Sequence, residues 1–193
     1  SNRSDPTQLA TISTPVISTF IAFFGNYIGI IEDYYGLRTF DVSTPTSPAF
    51  ADHFFGGGYA EEIVKDGNLL YLANGKGGLG IINISEPSNP MRVNYSCTNT
   101  ANFQTIGYYN NSVILGTDGT GYNPHLVAYN VSDLPMINIL TEKHDYSFEE
   151  IKIKGDYAYA ATSGYGFVIY NITDSANPVE EAKILTSSTY FTS

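Results

Sequence analysis

Asp41-Val-Ser-Thr-Pro-Thr-Ser-Pro48, Asn83-Ile-Ser-Glu-Pro-Ser-Asn-Pro90, Asn130-Val-Ser-Asp-Leu-Pro135 and Asn171-Ile-Thr-Asp-Ser-Ala-Asn-Pro178 are variants of one phrase. A weaker copy, Asn2-Arg-Ser-Asp-Pro6, opens the chain. The copies begin at residues 2, 41, 83, 130 and 171, so they are spaced by 39, 42, 47 and 41 residues. A near-constant period of this size is the signature of a repeat architecture. The phrase has a local physical logic. Asn or Asp, with Ser or Thr two residues on, bonds side chain to backbone and ends a strand in a turn. The prolines cannot donate to a ladder. Each also pushes the residue before it into extended geometry, which aims the chain into another strand.

The same grammar precedes every full phrase. An alternating segment comes first, at Ser18–Phe24, Glu61–Lys65, Asn102–Ile106 and Glu149–Lys154. A turn follows at Gly25-Asn26, Asp66-Gly67-Asn68, Asn110-Asn111 and Gly155-Asp156, residue types that accept the positive φ of tight hairpins. Second strands are predicted at Tyr27–Ile31, Leu69–Ala73, Val113–Gly116 and Tyr157–Ala161, and third strands at Leu37–Phe40, Leu79–Ile82, Leu126–Tyr129 and Phe167–Tyr170. After the phrase a fourth strand reads as Ala49–Phe54, Met91–Tyr95, Met136–Leu140 and Val179–Leu185. Four short strands per repeat, with turns every 8–12 residues or so, fit a propeller blade.

The expected fold is therefore all-β: a β-propeller of four four-stranded blades, each of roughly 42 residues, with partial repeats at both ends. The array spans residues 1–193 as one domain, with a partial repeat over 1–16 and repeats over about 17–58, 59–99, 100–146 and 147–186. Thr7–Ser13 reads as the fourth strand of a preceding blade, and 187–193 as the start of a further strand. Either the chain is part of a propeller of about six to eight blades, or its terminal strands pair with neighbouring subunits head to tail.

Composition agrees. The chain has 16 Tyr, 11 Phe, 18 Gly and 9 Pro, and its net charge is −10. No window carries a helical apolar period. The scattered nine basic residues argue against nucleic acid, which needs clustered Lys and Arg. The longest apolar stretch, Val16 to Phe24, is broken by Ser18 and Thr19 and is too short to span a bilayer. Cys97 is the single cysteine, so no intrachain disulfide forms; it reads as a packed thiol.

The third strands, Leu37-Arg-Thr-Phe-Asp41, Leu79-Gly-Ile-Ile-Asn83, Leu126-Val-Ala-Tyr-Asn130 and Phe167-Val-Ile-Tyr-Asn171, resemble the LVIVD repeat when taken with the following phrase. Asn68-Leu-Leu-Tyr-Leu-Ala73 and Asp156-Tyr-Ala-Tyr-Ala-Ala161 look like that family's Tyr-rich second strand. The resemblance implies a propeller in a large secreted or cell-surface protein, without shared catalytic residues. The chain departs from the family's Asp at Asn83, Asn130 and Asn171, and an insertion around Thr117–His125 stretches the third repeat.

Asn-x-Ser/Thr sequons stand at Asn2, Asn83, Asn94, Asn110, Asn130 and Asn171, against about three expected by composition. Four coincide with the phrase, where turn chemistry also accounts for them; N-glycosylation on solvent-facing turns is the functional reading. His53, His125 and His144 lack metal-ligand spacing, and no metal or cofactor is expected. Asp118-Gly-Thr-Gly121 lacks the alternating carboxylates of a calcium loop. Gly75-Lys-Gly-Gly78 has no helix behind it and reads as a hairpin turn rather than a phosphate cradle. The pairs Glu61-Glu62 and Glu149-Glu150 occupy equivalent places in two repeats. Adjacent strand residues point to opposite faces, so neither pair makes an acid/base dyad, and both read as a solvated blade edge.

The functional expectation is a non-catalytic, extracellular or cell-surface glycoprotein module that scaffolds, adheres or self-assembles. Its partners would be other protein subunits, itself included. Exposed Tyr and Phe around the blade-connecting loops would make the contacts, and the stretch from Asp118 to His125 would carry specificity. The alternative is a propeller that binds carbohydrate or a small ligand at one face of its channel.

Overall fold

The computed structural model describes residues 5–32, 35–55, 59–96, 101–118, 125–163 and 166–185. Sixteen strands form four antiparallel sheets, and no helix occurs among the described residues. Blade 1 comprises β1 (Ser18–Phe24), β2 (Tyr27–Glu32), β3 (Gly36–Asp41) and β4 (Ala49–Phe54). Blade 2 comprises β5 (Glu62–Asp66), β6 (Leu69–Ala73), β7 (Leu79–Asn83) and β8 (Met91–Ser96). Blade 3 comprises β9 (Phe103–Tyr109), β10 (Ser112–Thr117), β11 (Leu126–Asn130) and β12 (Asn138–Lys143). Blade 4 comprises β13 (Phe148–Lys154), β14 (Tyr157–Thr162), β15 (Gly166–Asn171) and β16 (Val179–Leu185). Within each sheet the strands follow chain order, so every connection inside a blade is a simple hairpin.

The phrase does what its chemistry predicts. Asp41 Oδ1 accepts the Ser43 N–H at 2.8 Å, and Asn83, Asn130 and Asn171 accept from Ser85, Ser132 and Thr173 at 2.7, 2.8 and 3.1 Å. The residue between them donates back to the first hairpin of its blade: Val42 to Asn26, Ile84 to Asn68, Val131 to Asn111 and Ile172 to Asp156. Each phrase thus ties the third strand to the turn that starts the second. The third and fourth strands then shift register at one equivalent place in every blade, at Thr39/Phe40, Ile81/Ile82, Ala128/Tyr129 and Ile169/Tyr170. A bulge there adds local twist to each blade's outer half.

The four Asx turns make a testable pair. Asp41 makes the same bond as the three Asn, so the position selects a carbonyl oxygen and not an amide. Asn83→Asp is expected to leave the urea midpoint nearly unchanged, and Asn83→Ala to lose about 1 kcal/mol. Equal losses from both would refute this role.

The core lies between blades, not within them. The middle strands alternate strictly, as a period of two requires. Leu70, Leu72 and Ile82 of blade 2 pack with Ile31 and Leu37 of blade 1. Tyr71, Leu79 and Ile81, on the opposite face of blade 2, pack with Val113, Leu115 and Tyr129 of blade 3. Ile114, Leu126 and Ala128 then meet Ala158, Val168 and Tyr170 of blade 4. Each blade is a layer with two apolar faces, and stacking buries both. The inner strands meet in sequence, β1 with β5, β5 with β9, and β9 with β13. No comparable contact joins β13 back to β1 among the described residues, so the four blades form an open arc.

Burial of tyrosine in these layers has a consequence at high pH. Burial, with smaller contributions from Tyr108 and Asp66, pushes the Tyr71 phenol up to about 12. Burial likewise raises Tyr108, with Asp66 adding to it, and Tyr170, with Asp145 and Glu180 adding to it. An unfolded tyrosine ionises near pH 10. The neutral phenol is favoured in the fold, so this stability is complete below about pH 10 and is lost as pH rises from there through 12. The urea midpoint should hold between pH 7 and 9 and fall by pH 11, with late-titrating phenolate absorbance at 295 nm. A midpoint unchanged at pH 11 would contradict it.

Two expectations are corrected. Residues 5–17, which include Thr7–Ser13, contain no strand; a strand is held by a ladder, and none of the described strands pairs with them. The fourth strand of blade 3 begins at Asn138 rather than Met136. Pro135 has no N–H to donate, and the Met136 N–H is used in the turn, bonding Asp133 O at 2.9 Å. The expected strand at 187–193, Cys97 and most of the insertion lie outside the described residues.

Candidate functional site

The inner strands converge at the axis of the arc. Each ends in a hairpin whose first positive-φ residue is Gly25, Gly67, Asn110 or Gly155 (φ 60°, 51°, 43° and 58°). Five residues before these stand Phe20, Glu62, Thr105 and Glu150. These equivalent positions link one blade to the next.

Glu62 is 7% exposed. Its Oε2 accepts the Thr105 hydroxyl at 2.6 Å and the Ile106 N–H at 3.0 Å. Its Oε1 accepts from Lys152 Nζ, which also lies 3.2 Å from Glu150 Oε1. One blade on, Thr105 Oγ1 accepts the Ile151 N–H at 2.8 Å. The rule is the same at both junctions: the side chain at this position accepts the backbone N–H of the next residue position in the following blade. An inner-strand N–H that faces the axis has no ladder partner, and a buried one must find an acceptor. Burial acts to lower the Lys152 ammonium, but Glu62 and Glu150 outweigh it and hold it above the ordinary lysine range. Around this chain of bonds lies a cleft of about 210 Å³, lined by Glu62 to Val64, Ile106 to Tyr108 and Ile151 to Ile153.

The solvated-edge expectation therefore fails for Glu62, which is buried and fully engaged, and holds for Glu149 and Glu150, which are exposed. Sequence reasoning missed Thr105 and Lys152. The signal for Thr105 was the count of five residues back from each turn, which lands on a polar residue in three of four blades; Lys152, two residues beyond that position, carries no such signal.

The sequons fall in several settings. Asn83, Asn130 and Asn171 are half-buried and hold the phrase turns through Oδ1, and Asn171 Nδ2 also donates to Glu181 at 3.2 Å. Asn94 is half-buried; its Oδ1 accepts the Tyr95 N–H at 2.7 Å and its Nδ2 donates to Pro135 O. Asn110 stands exposed at the tip of the β9–β10 hairpin. Asn2 lies outside the described residues. The fold brings His125 and His144 to a ring separation of 6.2 Å, and places His53 against Tyr35 and Phe55. Among the described residues no three His, Cys, Asp or Glu form a group that could hold a metal ion. Gly75-Lys-Gly-Gly78 is the β6–β7 turn, closed by Asn74 N to Gly78 O at 2.9 Å. Asp118 Oδ2 accepts from Asn102 Nδ2 at 3.1 Å. A second, polar cleft of about 290 Å³ opens between the first hairpins of blades 1 and 2, lined among others by Asn26, Tyr27, Lys65, Asn68 and Ser85.

Three comparisons place this arrangement among known proteins. No curated protein matches the chain. Among solved structures, the computationally designed Ika4 protein superposes with a TM-score of 0.63 at 9% identity, covering 86% of this chain and 98% of that one. The computationally designed Ika8 protein gives 0.60 at 10% identity, over 81% of this chain and 46% of that one. A chain of the S. cerevisiae Dbp5 L327V complex with Nup159, Gle1 H337R, IP6 and ADP gives 0.55 at 11% identity, over 88% and 48%. The chain thus spans about half the length of two of these three, and identities this low speak for the fold alone. The LVIVD repeat family matches residues 57–97 and 147–186. These are blades 2 and 4, so two of the four blades of this β-propeller fold match the LVIVD repeat.

Proposed function

We propose that this chain is a non-catalytic, extracellular or cell-surface propeller module that scaffolds, adheres or self-assembles. The observation that carries the reading is how the fold uses its chemistry. The buried carboxylate at the axis is engaged in joining blades. The surface left over includes uncovered apolar side chains such as Ile21, Phe23, Phe50 and Ile184, each more than half exposed. Large exposed apolar patches mark interaction surfaces. N-linked glycans belong to the same reading, with Asn110 in the most open setting of the described sequons. Native material should lose mass on glycosidase treatment, and an unchanged intact mass would remove the glycoprotein part.

The alternative is a carbohydrate-binding propeller. The polar cleft between blades 1 and 2 favours it, because amides, a lysine and the Tyr27 ring are groups that recognise sugars. A glycan array separates the two. Silence across the array, together with adhesion or self-association, supports the scaffold; specific binding abolished by Asn26→Ala and Asn68→Ala supports the alternative.

A further inference from the structure

We infer that the cleft between the first hairpins of blades 1 and 2 binds a carboxylate, carried by an acidic sugar. The inference rests on the carbohydrate alternative above and names the charge of its ligand. It follows from comparing this junction with the two other junctions inside the arc, at the same level of each blade.

Places are counted from the first positive-φ residue of each hairpin, Gly25, Gly67, Asn110 or Gly155. Two residues before it stand Lys65 in blade 2 and Tyr108 in blade 3. Between blades 2 and 3, Tyr108 stacks on Tyr71 at 5.3 Å, and its phenol meets the Asp66 carboxylate. Between blades 3 and 4, the Tyr109 hydroxyl donates to Asp156 Oδ1 at 2.6 Å. Each of these junctions holds a carboxylate at this level, met by a phenol of blade 3.

The junction of blades 1 and 2 has neither. Phe24 stands in the place of Asp66, and Asn68 in the place of Asp156. Gly29 replaces Tyr71, and Lys65 replaces Tyr108. A Cβ on Gly29 would lie 2.9 Å from Phe24 Cε1, so the Phe24 ring folds over the glycine and the space beyond it stays open. That space is the cleft of about 290 Å³, and none of the described residues lining it is acidic. Lys65 is exposed and forms no ion pair among the described residues. Its neighbour Asp66 lies on the opposite face of the strand, with Tyr108. Glu86, in the turn between Ser85 and Pro87, is outside the lining.

In a chain of net charge −10, a lysine and two exposed amides, Asn26 and Asn68, therefore line a cleft where the other junctions keep an acid. A ligand carboxylate held by Lys65 and Asn68 supplies what this junction lacks, through charge-assisted hydrogen bonds. The cleft is larger than a carboxylate alone. The Tyr27 ring and the Asn26 amide suit the apolar face and the hydroxyls of a pyranose.

NMR titration of the 193-residue chain with D-glucuronate, D-glucose and acetate tests this. Glucuronate should shift the amide signals of Lys65 and Asn68, and glucose and acetate should each bind at least about tenfold more weakly. Lys65→Met should bring glucuronate and glucose to within about threefold of each other, and Lys65→Arg should keep the preference. Asn68→Asp returns an acid to the place of Asp156 and should weaken glucuronate binding more than about tenfold, with unchanged circular dichroism. Glucose bound as tightly as glucuronate, or a preference that survives Lys65→Met, overturns the inference and leaves the carbohydrate alternative standing. Acetate bound as tightly as glucuronate overturns the acidic sugar, because the carboxylate alone then carries the affinity. Silence from all three at millimolar concentration overturns the inference and the alternative together.

Discussion

Glu62→Ala is expected to lower the unfolding free energy by about 2–6 kcal/mol, the range for leaving two buried polar groups without their acceptor. The loss comes from what remains behind. Without the carboxylate, the buried Ile106 N–H and the Thr105 hydroxyl lose their acceptor together, and each such orphan costs about 1–3 kcal/mol. Blades 2 and 3 are tied by those two bonds, and blade 4 is tied to blade 2 through Lys152. Glu62→Gln separates acceptor from charge. The amide oxygen can still accept from Thr105 and Ile106, and only the attraction to a largely solvent-exposed ammonium is lost. That variant should cost only about 1 kcal/mol. Urea titrations of the two variants check the ordering. If Ala and Gln destabilise equally, the hydrogen bonds to blade 3 are not what Glu62 contributes.

Why Glu62 escaped the sequence, while its neighbours did not, has a physical reason. Alternation along one strand says which residues share a face, so strand bounds alone place Tyr71 opposite Leu72 and Val127 opposite Ala128. The phrase residues were legible for a similar reason: an Asx turn is local, and Asn83 needs only Ser85 to make it. Glu62 is different. Its partners lie 43, 44 and 90 residues away, on the inner edges of two other blades. A polar residue on an alternating strand reads as solvated unless the convergence of those edges is already known. The missing strand at Thr7–Ser13 shows the opposite error. The phrase before it is local and persuasive, but a strand is a property of a ladder. The same distinction governs the sequons, since a turn that uses Oδ1 and a glycan that uses Nδ2 can share one Asn.

Phe148→Ala tests the layered construction itself. Phe148 is 1% exposed and belongs to the cluster in which Ile114 and Leu126 of blade 3 meet Val168 and Tyr170 of blade 4. Its ring meets Tyr146 and Tyr170 edge-on at 6.5 and 6.3 Å. A Cβ on Gly116 would lie 2.8 Å from Phe148 Cβ, so the two backbones approach closely there. Truncating a large ring at such a site should cost about 3–5 kcal/mol, because a close-packed junction collapses only in part onto the void. Phe23→Ala, at a position 68% exposed, should stay within about 0.5 kcal/mol. In a stack where the apolar face of each layer packs only on its neighbours, the damage is local. Hydrogen exchange in Phe148→Ala should therefore accelerate in β10, β11 and β13 to β15, and leave β6 and β7 protected. Uniform loss of protection across all four blades would mean that the arc folds as one cooperative unit. The energy of a junction would then no longer belong to the two blades that form it.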